Sequence, residues 1–287
     1  MKKSIPILSA ILAALFYSVN APLAKVLLSD MDSTMMAALL YLGAGVGMLI
    51  LSLVRKVRGG EGMETSLTKK DLPYTAAMIV LDIAAPISLM AGLATTNSES
   101  VSLLNNFEIV ATSLIALLIF KERIRLRLAF AIVLITIASM LLSFENISSL
   151  SFSPGSILTL LASVFWGFEN NCTRMLSKKD PLEIVMIKGF GSGLGALLVA
   201  LILGCRLPSP NAALASLALG FVSYGLSIFF YVYAQRYLGA SKTSAYYAIS
   251  PFLGVLLSLL IFKEIPDASF WIALAIMAVG TYLTTTS

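Results

Sequence analysis

Leu117-Leu118-Ile119-Phe120-Lys121-Glu122 is repeated letter for letter as Leu259-Leu260-Ile261-Phe262-Lys263-Glu264. Each copy closes a long apolar run, in a chain of 287 residues that is 58% hydrophobic and 12% charged. Six identical residues in equivalent settings indicate an internal duplication, and a duplication constrains architecture before any local reading does. Five apolar segments carry the chain from the first copy to the second. An odd number of crossings turns the second copy upside down in a membrane. Such an inverted repeat is a common build of secondary transporters, with the substrate site where the halves meet.

The 20 Lys+Arg and 15 Asp+Glu fall between the apolar runs, too few and too clustered to cover a soluble surface. A helix of ~20 apolar residues spans a bilayer core of ~30 Å. Apolar runs and their punctuation predict an all-α membrane protein with ten transmembrane helices, near 5–28, 33–54, 72–94, 99–120, 126–143, 154–176, 183–203, 211–235, 242–262 and 268–284. They divide into a first five-helix repeat at 1–145 and a second, inverted one at 146–287, with residues 55–71 as a polar linker loop. Lys2-Lys3, an apolar run and Ser18-Val19-Asn20-Ala21 have the outline of a cleaved signal peptide. Pro22 after the cut and an apolar run continuing through Leu28 argue for a retained first span.

Lys and Arg accumulate in cytoplasmic loops. With the N-terminus inside, 16 of them lie inside, while Lys25, Arg206 and Lys263 lie outside and Lys188 falls within a span. Both termini are therefore predicted cytoplasmic, and the basic balance needs no nucleic-acid partner. Cys172 and Cys205 are expected too far apart for a disulfide. With two isolated Cys and no His, neither a metal site nor a haem cofactor is expected.

The duplication extends weakly beyond the block. An offset of 142 pairs Asp82 with Tyr224, Asn105 with Tyr247 and Glu108 with Ser250. An offset of 149 aligns Ala14-Leu15-Phe16-Tyr17-Ser18-Val19-Asn20 with Ser163-Val164-Phe165-Trp166-Gly167-Phe168-Glu169.

Ionisable residues within spans usually face a cavity or a partner. Asp82 lies 14 residues before the turn joining spans three and four and Glu108 lies 12 after it, so their depths nearly match. Two carboxylates sharing a proton would suit a proton-coupled exchanger, or a site for a substrate ammonium; the alternative is that each fixes helix packing through hydrogen bonds. Glu169 and Lys188 also match in depth. They form either a buried ion pair, or a snorkelling lysine with Glu169 left to the substrate. Asn105 and Glu108 share a helical face, as do Tyr17 with Asn20 and Trp166 with Glu169. With Tyr224, Tyr247 and Ser250 these are the candidate substrate-binding residues: aromatic walls with a few carboxylate and amide groups suit an organic molecule bearing an amine. For each aromatic the alternative is core packing or an interfacial belt. Gly189, Gly191, Gly193 and Gly195 read as helix-contact residues, because no strand precedes them as a phosphate loop would require. Pro22, Pro86 and Pro251 mark candidate kinks.

The chain resembles the drug/metabolite transporter superfamily, in its ten-span EamA type, over essentially its whole length. The resemblance is carried by the Phe-Lys-Glu endings at 120–122 and 262–264, and by Asn106-Phe107-Glu108-Ile109-Val110. Gly239-Ala240-Ser241-Lys242 leading to Ile249-Ser250-Pro251, and Phe16-Tyr17-Ser18 with Asn20, carry it further. Ile109 stands where the family often has a proline. The resemblance implies a bacterial inner-membrane secondary transporter working by alternating access, and without His, a metal cluster or a nucleophile motif no enzymatic activity is expected. Its substrate would be a small polar metabolite, an amino acid or related amine, moved outward. A coupling proton and the lipid bilayer are its other expected partners, and the expected form is a monomer or weak homodimer. Proton-coupled efflux of lipophilic cations and translocation of a lipid-linked carrier are the rival readings.

Overall fold

The computed structural model describes residues 4–57, 65–119, 121, 125–146, 151–176, 178–238, 243 and 246–285. Of the motifs above, Phe120, Glu122 and Gly239-Ala240-Ser241-Lys242 lie outside the described residues, as does 58–64 of the linker.

The chain is almost wholly helical. Its elements are α1 (Ser4–Ser18), α2 (Asn20–Leu27), α3 (Ser33–Val57), α4 (Leu72–Thr95), α5 (Ser98–Leu104) and α6 (Phe107–Leu118). They continue as α7 (Leu126–Ser143), α8 (Pro154–Leu176), α9 (Pro181–Ile202), α10 (Pro210–Gly220), a π-helical turn (Phe221–Leu226), α11 (Ser227–Leu238), α12 (Ser250–Phe262) and α13 (Ala268–Thr285). Two short strands, β1 (Phe144–Asn146) and β2 (Ser151–Phe152), form an antiparallel ladder between α7 and α8, with Phe144 stacked on Phe152.

Among the described residues, seven stretches are long and apolar enough to cross a membrane: Ile5–Leu27, Ser33–Val57, Lys69–Thr95, Ser98–Leu118, Leu126–Ser143, Pro181–Ile202 and Pro210–Leu238. α12 and α13 are apolar but shorter. α8 has the length, but the run Glu169-Asn170-Asn171 lowers its apolarity. Leu, Ile and Val side chains face outward along most helices, as they do where the solvent is hydrocarbon.

α3 packs along α9, α4 along α8, α7 along α13, α1 along α11 and α5 against α12. Glycines allow the closest of these approaches. A Cβ on Gly189 would fall inside contact distance of the Gly45 backbone, and one on Gly193 would meet Leu42. Gly191 and Gly195 similarly admit Ile79 and Ile83 of α4. The four glycines are thus helix-contact residues, as read from sequence. Lys121 and Lys263, the lysines of the duplicated block, both have φ of 55° and are the non-glycine residues with left-handed backbone among those described. That conformation is disfavoured for a side chain. It appears at the same position in both copies of the repeated block.

One end of the bundle is tied by ion pairs Arg55–Asp180 (3.3 Å) and Lys179–Asp71 (3.1 Å), and by Arg236 donating to the Lys179 carbonyl (2.8 Å). The described end of the 55–71 segment is docked here. The Leu67 N–H donates to Glu183 at 3.0 Å, the Asp180 N–H donates to the Thr65 carbonyl at 3.1 Å, and Asp71 accepts from the Thr68 N–H at 2.8 Å. At the other end the Arg206 N–H donates to Asp32 (3.0 Å), and Thr96 meets Ser153 (3.2 Å). Lys25 donates there to the carbonyls of Leu93 (2.6 Å), Ala94 (3.3 Å) and Thr96 (2.9 Å). Both cysteines are free.

Candidate functional site

Two interruptions aim polar groups at the bundle centre. Span four breaks between α5 and α6 at Asn105-Asn106, where i→i+3 bonds replace the α-helical ladder: Asn106 to Leu103 (3.1 Å), Glu108 to Asn105 (3.1 Å) and Ile109 to Asn106 (3.0 Å). Asparagine side chains compete with the helical backbone, which favours a break here. The break places Glu108 in the first turn of α6, where the helix dipole favours a carboxylate. A second interruption, at Ala248–Ile249 just before α12, occupies nearly the equivalent position in the other half. The expected proline kinks fit this only in part. Pro22 and Pro251 open α2 and α12, where a missing N–H is harmless, but Pro86 lies within an unbroken α4.

Around these breaks lies a cavity of about 440 Å³. Trp166, Glu169, Asn170 and Thr173 line it from α8, at spacings of three and four that form one helical face. Tyr17, Tyr41, Tyr224, Tyr231 and Tyr247 line it as a continuous aromatic chain. The ring centroids are 4.9 Å apart for Tyr41–Tyr224, 6.0 Å for Tyr17–Tyr224, 5.9 Å for Tyr17–Tyr247 and 4.9 Å for Tyr231–Tyr247. Tyr224 sits in the π-helical turn, a distortion frequent at functional sites. Glu108 is partly buried in the wall, its Oε1 accepting from the Asn170 amide at 2.5 Å. The same amide reaches Thr112 at 3.3 Å. Both side-chain polar atoms of Asn106, Oδ1 and Nδ2, and the Oδ1 of Asn105 are buried without a partner among the described residues. The lining continues through Arg174, Gln235 and Thr284 toward the end of the bundle that holds the Arg55–Asp180 pair.

Lys188, on α9, connects two carboxylates. Its Nζ donates to Glu169 Oε1 at 2.9 Å and lies 3.0 Å from Asp82 Oδ2. Asp82 also accepts from the Tyr41 hydroxyl at 2.8 Å, and Glu169 from the Thr173 hydroxyl. Asp82 is 0% exposed, Glu169 2% and Lys188 4%, so this triad is held within the protein. Of the two sequence readings for Glu169 and Lys188, the ion pair is the one observed.

Glu108, Asn105, Tyr17, Trp166, Glu169, Tyr224 and Tyr247 thus line one cavity. Three other candidates do not. Asp82 lies behind the wall against Lys188 and, among the described residues, has no partner in common with Glu108, so the expected carboxylate pair is not seen. Matched depth along two helices leaves the side to which each residue points undetermined. The Ser250 hydroxyl donates to the Ala14 carbonyl (2.8 Å), joining α12 to α1 as Ser227 joins α11 to Ala13 (2.8 Å). The Asn20 amide donates to the Tyr224 hydroxyl (3.3 Å) beside a much smaller pocket. Sequence reasoning did not select Asn170 or Tyr41 for the site, and left Tyr231 open between the site and helix packing. Three successive polar residues at 169–171 within an apolar span were the available signal for Asn170.

The model of the EamA-like transporter family matches residues 4–144 and again 153–286. A protein of Methanothermobacter thermautotrophicus described as an uncharacterized transporter is 27% identical over 296 residues, covering 96% of this chain and 84% of that one. A crystal structure superposes with a TM-score of 0.70 at 18% identity, covering 98% of this chain and 96% of the other, which supports the fold alone.

Proposed function

Because the chain belongs to the EamA-like transporter family, and so is a multi-pass membrane transport protein with a small-molecule substrate, we propose that it is a secondary active transporter for an amino acid or related amine. It works by alternating access between two inverted five-helix halves, 1–145 and 146–287, and exports its substrate across a bacterial inner membrane with both termini in the cytoplasm. The observation that carries the substrate class is the cavity itself, where a Glu108 carboxylate held by Asn170 faces five tyrosines at the break of span four. Discontinuous helices at the bundle centre are a usual way to build such a site, and tyrosine faces attract ammonium groups.

Several observations support the inverted halves. The helix contacts keep their pattern when the halves are exchanged: α4 with α8 becomes α11 with α1, and α6 with α8 becomes α12 with α1. The family model matches once in each half. The left-handed lysines recur at an offset of 142. Residues counted as cytoplasmic, including Arg55, Lys179 and Arg236, meet at one end, and Lys25 and Arg206 lie at the other. With that orientation the cavity reaches toward the cytoplasm.

Counterflow with the purified protein in liposomes tests the function. A labelled amine or amino acid should exchange, and Glu108→Gln should fold normally yet lose exchange. Exchange of lipophilic dyes in place of both would favour multidrug efflux, and normal exchange by Glu108→Gln would remove Glu108 from the site.

A further inference from the structure

We propose that the cavity selects amines that carry no carboxylate, so that its substrates are organic cations and not zwitterionic amino acids. This rests on the amine-site reading above and narrows it. Among the described residues, five charged side chains line the cavity or pair directly behind its wall: Asp82, Glu108, Glu169, Lys188 and Arg174. Three carboxylates against one ammonium and one guanidinium leave a formal excess of one negative charge. Lys188, which lines the cavity, would be the natural partner of a substrate carboxylate, yet its charge is already matched by two carboxylates, Glu169 at 2.9 Å and Asp82 at 3.0 Å. Arg174 lines the cavity only from the last turn of α8, one helical turn beyond Asn170 and toward the mouth. A zwitterion would leave the charge excess unchanged and bury a carboxylate against it, whereas a cation reduces the excess. An unpaired buried charge is strongly unfavourable. Tyrosine faces along the wall add attraction for a cation.

Matched pairs that differ by one carboxylate test this: tyramine with tyrosine, cadaverine with lysine and putrescine with ornithine. The readout is the concentration giving half-maximal thermal stabilisation of the purified full-length protein. The amine of at least one pair should act at a concentration ten-fold or more below its amino acid, a difference of ~1.4 kcal/mol. Glu108→Gln should remove that stabilisation. Glu169→Gln, which takes one carboxylate from Lys188, should shrink the amine preference. Equal or better stabilisation by the amino acids overturns the proposal while leaving the amine-site reading intact. Its loss in Arg174→Gln would then place the substrate carboxylate at the mouth. Should no member of any pair stabilise the protein, the amine-site reading fails and takes this proposal with it.

The two ends of the bundle carry a second, independent inference, which rests on the alternating-access reading. We infer that Lys25 and Arg174 are alternate latches. Lys25 holds the last-turn carbonyls of α4, groups left without helical partners and favourable to a cation. The offset of 149 carries Lys25 onto Arg174, and the offset of 142 carries Leu93, one of its acceptors, onto Gln235. Arg174 and Gln235 both line the cavity where it approaches the opposite end. Exchanging the conformations of the halves would place Arg174 on the last turn of α11 and seal that end. A Ser113→Cys reporter in a Cys172→Ser, Cys205→Ser background reads this by its maleimide labelling rate, since Ser113 lines the cavity on that side. Lys25→Met should slow labelling and Arg174→Met should speed it, each at least two-fold, while Lys25→Arg and Arg174→Lys label at the reference rate. Shifts in the same direction, or none, overturn the inference. If counterflow persists at the same time, alternating access itself still stands.

Discussion

Lys188→Met removes the one cation that the triad contains. Asp82 and Glu169 then face each other as unpaired carboxylates in a space where they are 0% and 2% exposed. Breaking a buried pair by removing one partner costs about 3–5 kcal/mol, and here one truncation orphans two charges, so the upper part of that range is expected. At roughly 2 °C per kcal/mol for a chain of this size, the loss corresponds to about 8–10 °C in melting temperature. Asp82→Asn and Glu169→Gln each leave Lys188 one carboxylate, at 2.9 or 3.0 Å, and keep a hydrogen-bonding amide. Each should lose only about 1–3 kcal/mol. Neutralising all three positions should restore most of the stability, because an uncharged trio of similar volume avoids the desolvation of ions. Thermal unfolding of the purified variants in one detergent decides among these outcomes. Equal losses for the three single variants, or additive losses with no recovery in the triple variant, would refute the triad as the arrangement of these charges.

Gly189→Val should destabilise by about 1–3 kcal/mol or more, since its side chain meets the Gly45 backbone and α3 and α9 cannot separate without loss of their packing; thermal unfolding measures this. Asn170→Ala should keep the fold and weaken amine stabilisation about ten-fold, because Glu108 loses the amide that positions it. An unchanged half-maximal concentration would count against that role. In intact cells native Cys205, at the end opposite the Arg55–Asp180 pair, should react with an impermeant thiol reagent. A cysteine placed at Ser66, in a Cys172→Ser, Cys205→Ser background, should be protected until the membrane is permeabilised. The reverse pattern would invert the proposed orientation.

Much of the fold was legible because its determinants are local. Hydropathy along the chain located the helical segments to within a few residues, and the two copies of the repeated block share a left-handed backbone at Lys121 and Lys263. Depth was also legible. A helix advances by a fixed ~1.5 Å per residue, so counting from a turn brought Glu169 level with Lys188, and the two do meet. The same count brought Asp82 level with Glu108, and those two do not meet. The difference lies in rotation about the helix axis, which counting does not supply. Which neighbour each face meets depends on how α3, α4, α8 and α9 pack, and that packing depends on glycines far apart in the chain, such as Gly45 and Gly189. The sequence by itself therefore determined the segments, their depths and the candidate set of polar and aromatic residues. Only the tertiary structure decided that Asp82 and Glu169 share Lys188, that Tyr41 and Tyr231 join the aromatic wall, and that span four breaks at Asn105-Asn106 to aim Glu108 into the cavity. Helix length and burial depth follow from hydropathy and a fixed rise, whereas a site is made of directions, and directions are set only when the helices pack.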